Sequence, residues 1–139
     1  PTTNPAPSMR SRPLAGKHLL VLTARRDLQA QIQAAVHHLG LIVDVVETVE
    51  DATQFCLEGL PHAIVFDAGQ RNAAFGRLHA ELMREVPDFS FIEVLAHEQQ
   101  TQLSTATADG MARISRYYIT DALPSVLMFE LSKGHWPAA

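Results

Sequence analysis

Residues 58–69 read EGLPHAIVFDAG, and this stretch decides the fold. The run Ala63–Phe66 is apolar at every position. A strand that is apolar throughout, rather than at every second residue, is typical of a parallel sheet covered on both faces. Asp67 follows the run directly, and Gly69 stands in a turn behind it. The stretch therefore predicts one central strand of an α/β domain that ends at an aspartate.

Similar apolar runs lie on both sides of this strand and alternate with stretches of helical period, which predicts a parallel α/β sheet. The five predicted strands are His18–Leu22, Leu41–Val46, Ala63–Phe66, Phe91–Leu95 and Tyr117–Thr120. The first predicted helix carries an apolar stripe made of Leu28, Ile32, Val36 and Leu39 and stops at Gly40.

Four further helices follow the remaining strands. The second begins at a capping box formed by Thr48 and Asp51. The third covers residues 72–84, and the fourth, at 99–107, has little apolar stripe. The fifth covers 124–133, where proline is acceptable in the first turn.

Composition limits the classes of function. With 139 residues, 47% of them hydrophobic, the chain fits one globular domain. A net charge of −4 argues against a nucleic-acid or anionic-membrane surface, and no apolar run reaches the roughly 18 residues of a membrane span. The only cysteine, Cys56, excludes an internal disulfide and is interpreted as a small apolar side chain. We expect a cytoplasmic protein.

Three segments are predicted along the chain. Residues 1–16 are a Pro/Ser-rich linker, residues 17–134 the folded domain and residues 135–139 a tail. Because the chain begins with Pro1 rather than Met, we expect either a piece of a longer protein, tethered through this linker, or a chain that has been processed.

The stretch 58–69, together with a first helix closing in Leu39-Gly40, resembles the receiver domain of two-component response regulators across residues 17–133. The resemblance implies a flavodoxin-like (βα)5 fold with strand order 2-1-3-4-5, in which Asp67 takes the place of the phosphoacceptor. It also implies a place in two-component signalling, within a sensor kinase such as a hybrid histidine kinase or within a regulator.

Other working positions depart from the family's pattern. The family has two acidic residues after the first strand, which hold Mg²⁺, and this chain has Thr23 and Ala24 there. The family's hydroxyl residue after strand four is replaced by Ala96. Its lysine after strand five is replaced by Asp121, a reversal of sign that would repel phosphate. These departures predict a pseudo-receiver without catalytic residues, metal or cofactor, which acts by docking on neighbouring domains or a signalling protein.

Alternatives stay open for the remaining candidates. Asp67 is either a weakly active phosphoacceptor or a strand-end aspartate that accepts N–H groups from the following turn. Arg25 or Arg26 either bridges to Asp67, replacing the metal's charge, or is solvated.

A second set of candidates is Arg113, Arg116, Tyr117 and Tyr118. In receivers the fourth helix, fifth strand and fifth helix form the usual face for partners and homodimers, and Tyr118 takes the place of the family's switch aromatic. The resemblance also permits cyclic-di-GMP sensing, since some degenerate receivers bind this ligand through arginine and aromatic residues. The alternative is ordinary core packing of one tyrosine beside solvated arginines. The histidines, including His97, show no metal-ligand spacing, and no catalytic or nucleotide-binding motif is present.

Overall fold

The computed structural model describes residues 13–96 and 110–132. Five parallel strands form one sheet in the order β2-β1-β3-β4-β5. The strands are β1 (His18–Leu22), β2 (Ile42–Val46), β3 (Ala63–Asp67), β4 (Ser90–Leu95) and β5 (Ala112–Ser115). Within the described ranges the α-helices are α1 (Arg26–Val36), α2 (Val49–Glu58), α3 (Ala73–Glu85) and α4 (Ile119–Ser132). The predicted flavodoxin-like fold and strand order are confirmed.

Each face of the sheet has its own hydrophobic core. Leu19 and Val21 of β1 point to the face covered by α1 and α4, whereas Leu20 and Leu22 point to the face covered by α2 and α3. All four side chains are fully buried. Burial on both faces explains why β1 and β3 are apolar at consecutive positions.

Local capping groups fix the ends of the helices. Gly40, at φ 81°, terminates the 3₁₀ turn His37–Leu39 that extends α1. The Thr48 hydroxyl accepts the N–H of Asp51 at 3.1 Å, and the Asn72 side chain accepts the N–H of Phe75 at 2.8 Å. Such N-caps each contribute about 1 kcal/mol.

The fifth strand differs from its prediction. It is Ala112–Ser115, not Tyr117–Thr120, and pairs with β4 from Ile92↔Ala112 to Leu95↔Ser115. Tyr117 and Tyr118 lie in the 3₁₀ turn that follows and are 63% and 43% exposed. The prediction was wrong because aromatic and β-branched residues favour strands, whereas the actual strand carries a charged residue, Arg113.

The last helix, predicted from residue 124, begins at Ile119. Pro124 therefore lies inside the helix, where its missing N–H leaves the carbonyl of Thr120 without a helical donor. Thr120 itself is an exposed residue. The predicted fourth helix at 99–107, His97 and the tail at 135–139 lie outside the described residues.

Packing at the N-terminal side starts before the predicted domain boundary at residue 17. Leu14 is buried with the α1 and α4 core, and its N–H donates to the Leu39 carbonyl at 3.0 Å. No helix in the described ranges is long and apolar enough to span a membrane.

Candidate functional site at the carboxyl edge of the sheet

Asp67 is the last residue of β3, so its side chain lies at the carboxyl edge of the sheet, where open α/β folds collect their ligands. Its Oδ1 accepts the N–H of Gly69 at 2.9 Å. Its Oδ2 accepts the hydroxyl of Thr23 at 3.1 Å. The turn contact that we expected for a strand-end aspartate is therefore present, and the carboxylate remains partly exposed.

Thr23 connects the end of β1 to Asp67. It is fully buried, and its N–H donates to the Val46 carbonyl at 3.1 Å. Its Oγ1 accepts the N–H of Arg25 at 3.1 Å while donating to Asp67. Its carbonyl accepts a 2.7 Å hydrogen bond from the side chain of Gln29. A neutral, fully bonded side chain therefore stands where the resemblance implies a carboxylate.

The arginines after β1 do not reach Asp67. Arg25 pairs with Asp27, with 3.4 Å between Nη2 and Oδ2, and Arg26 is exposed without an ion pair to any described residue. The hypothesis that either arginine bridges to Asp67 is therefore wrong: Arg25 pairs with Asp27 two positions away, and no ion pair joins Arg26 to Asp67.

Asp27 also binds a second arginine from the other end of the chain. The Arg116 guanidinium lies 2.9 Å from Asp27 Oδ2. This hydrogen bond, together with the charge of Arg25, lowers the pKa of the Asp27 carboxyl. The side chain of Gln31 further donates to the Arg116 carbonyl at 3.1 Å, so α1 holds the segment after β5.

The end of β5 corrects the predicted role of Asp121. The strand ends at buried Ser115, whose hydroxyl accepts the N–H of Tyr117 at 3.3 Å, and Arg116 follows. Asp121 lies exposed in the first turn of α4. The negative charge of a carboxylate stabilises a helix at this end, where the helix dipole is positive. The prediction that an acidic residue follows strand five is therefore wrong. The residue that follows the strand is the cation Arg116, which pairs with Asp27.

The end of β4 is apolar. The strand ends at Leu95, and exposed Ala96 follows it. Neither side chain has an oxygen with which to bind a phosphoryl group.

A charged cluster on β4 was not predicted from the sequence. Glu93 is 3% exposed, and its two oxygens bind Arg71 at 2.7 and 3.0 Å. The Arg113 guanidinium approaches the same carboxylate at 2.8 Å. The only sequence signal for this cluster was Glu93 inside the otherwise apolar run FIEVL. A buried carboxylate needs a cation beside it.

Arg113 and Arg116, both in the second set of predicted candidates, bind different carboxylates. Arg113 and Glu93 lie on the α2 and α3 face of the sheet, where the Arg71 guanidinium sits 5.6 Å from the Phe66 ring. Arg116 instead pairs with Asp27 beside α1, on the opposite face. Tyr118 is exposed after β5 rather than placed in the strand, so its predicted switch position is wrong. The four residues do not form one cluster.

The donors around Asp67 do not fit a magnesium ion. Mg²⁺ prefers several hard oxygen ligands with negative charge. Here Thr23 brings a neutral hydroxyl that already has partners, and Ala24 has no side-chain oxygen. Asp27, four residues after Thr23, is already bound by two arginines. Within residues 13–96 and 110–132, no group of three acidic, histidine or cysteine side chains could hold a metal ion.

Comparison with known proteins finds similar folds among solved structures. No family model matches the chain, and no curated protein matches it. The receiver domain of a LuxO-type repressor from Vibrio parahaemolyticus superposes with a TM-score of 0.68 at 18% identity, over 84% of this chain and 90% of that one. The receiver domain of the histidine kinase CKI1 from Arabidopsis thaliana, complexed with Mg²⁺ and BeF₃⁻, gives 0.65 at 16%, over 91% and 97%.

A third similar structure is the N-terminal domain of a response regulator/sensory box/GGDEF three-domain protein from Carboxydothermus hydrogenoformans. It gives a TM-score of 0.63 at 15% identity, over 83% of this chain and 94% of that one. At these identities the likeness establishes the receiver fold, and function has to be argued from the side chains.

Proposed function

We propose that this chain is a pseudo-receiver, a signalling module that binds other protein domains and does not take up a phosphoryl group. The observation that carries the proposal is the environment of Asp67. Its carboxylate is bound by the neutral hydroxyl of Thr23 and by a backbone N–H, at a site where no second carboxylate follows β1 directly.

The charges explain why phosphoryl transfer is disfavoured. A transferred phosphoryl group carries negative charge that divalent metal and lysine normally neutralise. The strand-end residue Ser115 has no charge, and the cation beside it, Arg116, already neutralises Asp27. Moving Arg116 to Asp67 would leave Asp27 beside Arg25 alone, at a longer distance.

The similar structures support a setting within a larger signalling protein. One is the receiver domain of a histidine kinase, and another is the N-terminal domain of a three-domain response regulator. We therefore propose that this domain works in the cytoplasm beside the other domains of a sensor kinase or regulator. Exposed Tyr117, Tyr118 and Phe129, after β5 and on α4, are candidate contacts for such a domain or for a second copy.

Exposure to acetyl phosphate and Mg²⁺, followed by intact-mass measurement, tests the proposal. We expect no adduct with the mass of a phosphoryl group. Stoichiometric phosphorylation that disappears in Asp67→Asn would establish the competing function, a weakly active phosphoacceptor. That alternative rests on the partly exposed Asp67 carboxylate at the correct end of β3. For cyclic-di-GMP binding, the separation of Arg113 from Arg116 removes the predicted cluster.

A further inference from the structure

Charge is distributed unevenly along the chain. The segment 41–70 contains no lysine or arginine, and its six acidic residues are Asp44, Glu47, Glu50, Asp51, Glu58 and Asp67. This segment forms β2, α2 and β3. The stretch that forms β2, α2 and β3 is therefore acidic and contains no lysine or arginine to balance it.

The same segment exposes large apolar side chains. Leu57, near the end of α2, is 76% exposed, and Leu60, in the loop that follows, is 43% exposed. Ile42 at the start of β2 is 46% exposed. Single exposed leucines are ordinary on protein surfaces, so the arrangement around them matters more than their number.

Leu57 and Leu60 border a groove between α2 and α3. Its wider part has a volume of about 330 Å³, and a narrower part of about 100 Å³ continues it. Both parts are lined by Thr53, Leu78 and Glu81, so they form one cleft, here called the α2 groove. Leu60 also lines a neighbouring cavity of about 350 Å³ beside β1 and β2. The two parts of the α2 groove lie between α2 and α3 and follow the length of this helix pair.

The floor and rim of the α2 groove differ in chemistry. Leu78, Leu82 and Cys56 line the floor, and burial raises the pKa of the Cys56 thiol, as expected for a small apolar residue. Glu50, Glu81 and Glu85 lie among the lining residues. The two nearby cations are Arg77, which lines the wider part, and Arg84, which pairs with Glu81.

We infer that the α2 groove docks a basic amphipathic helix of a partner protein. An amphipathic helix places its apolar stripe in such a groove, and its lysine or arginine flanks would meet the acidic rim. The inference names the kind of partner for the interaction role proposed above and rests on that role. It uses a surface that does not include Asp67.

The described helices of this chain lack the basic charge that would match the acidic rim of the groove. This favours another protein, rather than a second copy of this chain, as the occupant. Helices α2 and α4 contain no lysine or arginine, and α1 contains only Arg26. In α3, Arg77 and Arg84 are balanced by Glu81 and Glu85. A basic partner helix must therefore come from outside these elements.

The test uses the whole 139-residue chain and a fluorescent 18-residue helical peptide made of leucine and lysine in amphipathic order, titrated by anisotropy. We expect saturable binding that Leu57→Ser and Glu85→Lys, both at residues lining the groove, each weaken at least tenfold. The matched control is Phe129→Ser, which removes a 43% exposed side chain from α4 and should leave binding unchanged. A peptide with glutamate in place of lysine should not bind.

Three results would overturn the inference. The first is absence of saturable binding, or an equal loss in the Phe129→Ser control. The second is self-association in sedimentation experiments that Leu57→Ser abolishes, because the occupant would then be a second copy. The third is markedly tighter peptide binding after removal of residues 1–12, since the chain's own Arg10 and Arg12 would then compete for the groove. Phosphorylation of Asp67 is measured separately, so failure of the groove and failure of the proposed function are distinguishable.

Discussion

At the scale of single residues, the hydrogen bonds of Thr23 determine which groups surround the Asp67 carboxylate. Its hydroxyl donates to Asp67 and accepts from the N–H of Arg25, so a buried group has both hydrogen-bonding roles filled. A carboxylate at the same place would repel Asp67 unless a cation lay between them. The structure places no arginine there, since Arg25 and Arg116 both bind Asp27.

Replacement of Thr23 by Val tests these hydrogen bonds. The valine keeps the shape and removes the donor to Asp67, so we expect a loss of about 1–2 kcal/mol in the free energy of unfolding, measured with urea. Thr53→Val is the control, because the exposed Thr53 hydroxyl bonds only the Val49 carbonyl of its own helix. Equal effects of the two changes would mean that the Thr23 contact is not stabilising.

Asp27 predicts part of the dependence of stability on pH. Its folded-state pKa lies below the ordinary value of 3.8, mainly through the hydrogen bond from Arg116. Its contribution is therefore present above the unfolded-state pKa and is lost as pH falls through the lower folded-state value. Asp27→Asn should flatten the fall in stability below about pH 4 in urea unfolding. An unchanged acid limb would show that Arg116 and Asp27 do not interact in solution.

At the scale of elements, the sequence predicted most of the sheet and misplaced its last strand. Strands β1 to β4 were recognisable because burial on two faces demands consecutive apolar residues. Strand β5 carries Arg113, and only its register beside Glu93 on β4 makes that charge acceptable. Such pairing between residues far apart in sequence cannot be read from local patterns. The misplaced strand then put Asp121 wrongly into the site.

The charged cluster between β4 and β5 should stabilise both strands. Glu93→Gln leaves Arg71 and Arg113 without their shared carboxylate, and we expect a loss of about 3 kcal/mol, moderated because the Arg71 side chain is 39% exposed. Glu81→Gln, which removes an exposed ion pair with Arg84, should cost less than about 0.5 kcal/mol. Chemical denaturation compares the two, and a Glu93→Gln loss as small as the control's contradicts this role.

Two glycines give a matched test of helix ends and interiors. Gly40→Ala forces a side chain into the left-handed conformation at φ 81°, which should cost about 1–2 kcal/mol. Gly76→Ala lies in the exposed interior of α3 with open space around the added carbon, and should stabilise by up to about 1 kcal/mol. Thermal unfolding should move in opposite directions for the two variants. A shift of the same sign would contradict the assigned conformations.

At the scale of the whole molecule, the fold is that seen in receiver domains, and the proposed lack of phosphoryl transfer rests on the charges at the carboxyl edge of the sheet. Asp67 and Thr23 lie at the carboxyl ends of β3 and β1, because these strands were predicted well, and their correspondence to the family's working positions stays a prediction. The pairing of Arg116 with Asp27 depends on how α1 packs beside the end of β5, which no local pattern specifies. The fold therefore followed from hydrophobic patterning, and the electrostatics of the site required tertiary structure.

The most direct measurement of the central claim is an NMR titration of the chain with Mg²⁺ and beryllofluoride, a mimic of the phosphoryl group, observing backbone amides around Asp67 and Gly69. At ordinary millimolar Mg²⁺ we expect no saturable shifts, because one carboxylate bound by Thr23 offers too little charge for the ion. Saturable shifts at Gly69 and at the end of β5, abolished by Asp67→Asn, would contradict the account.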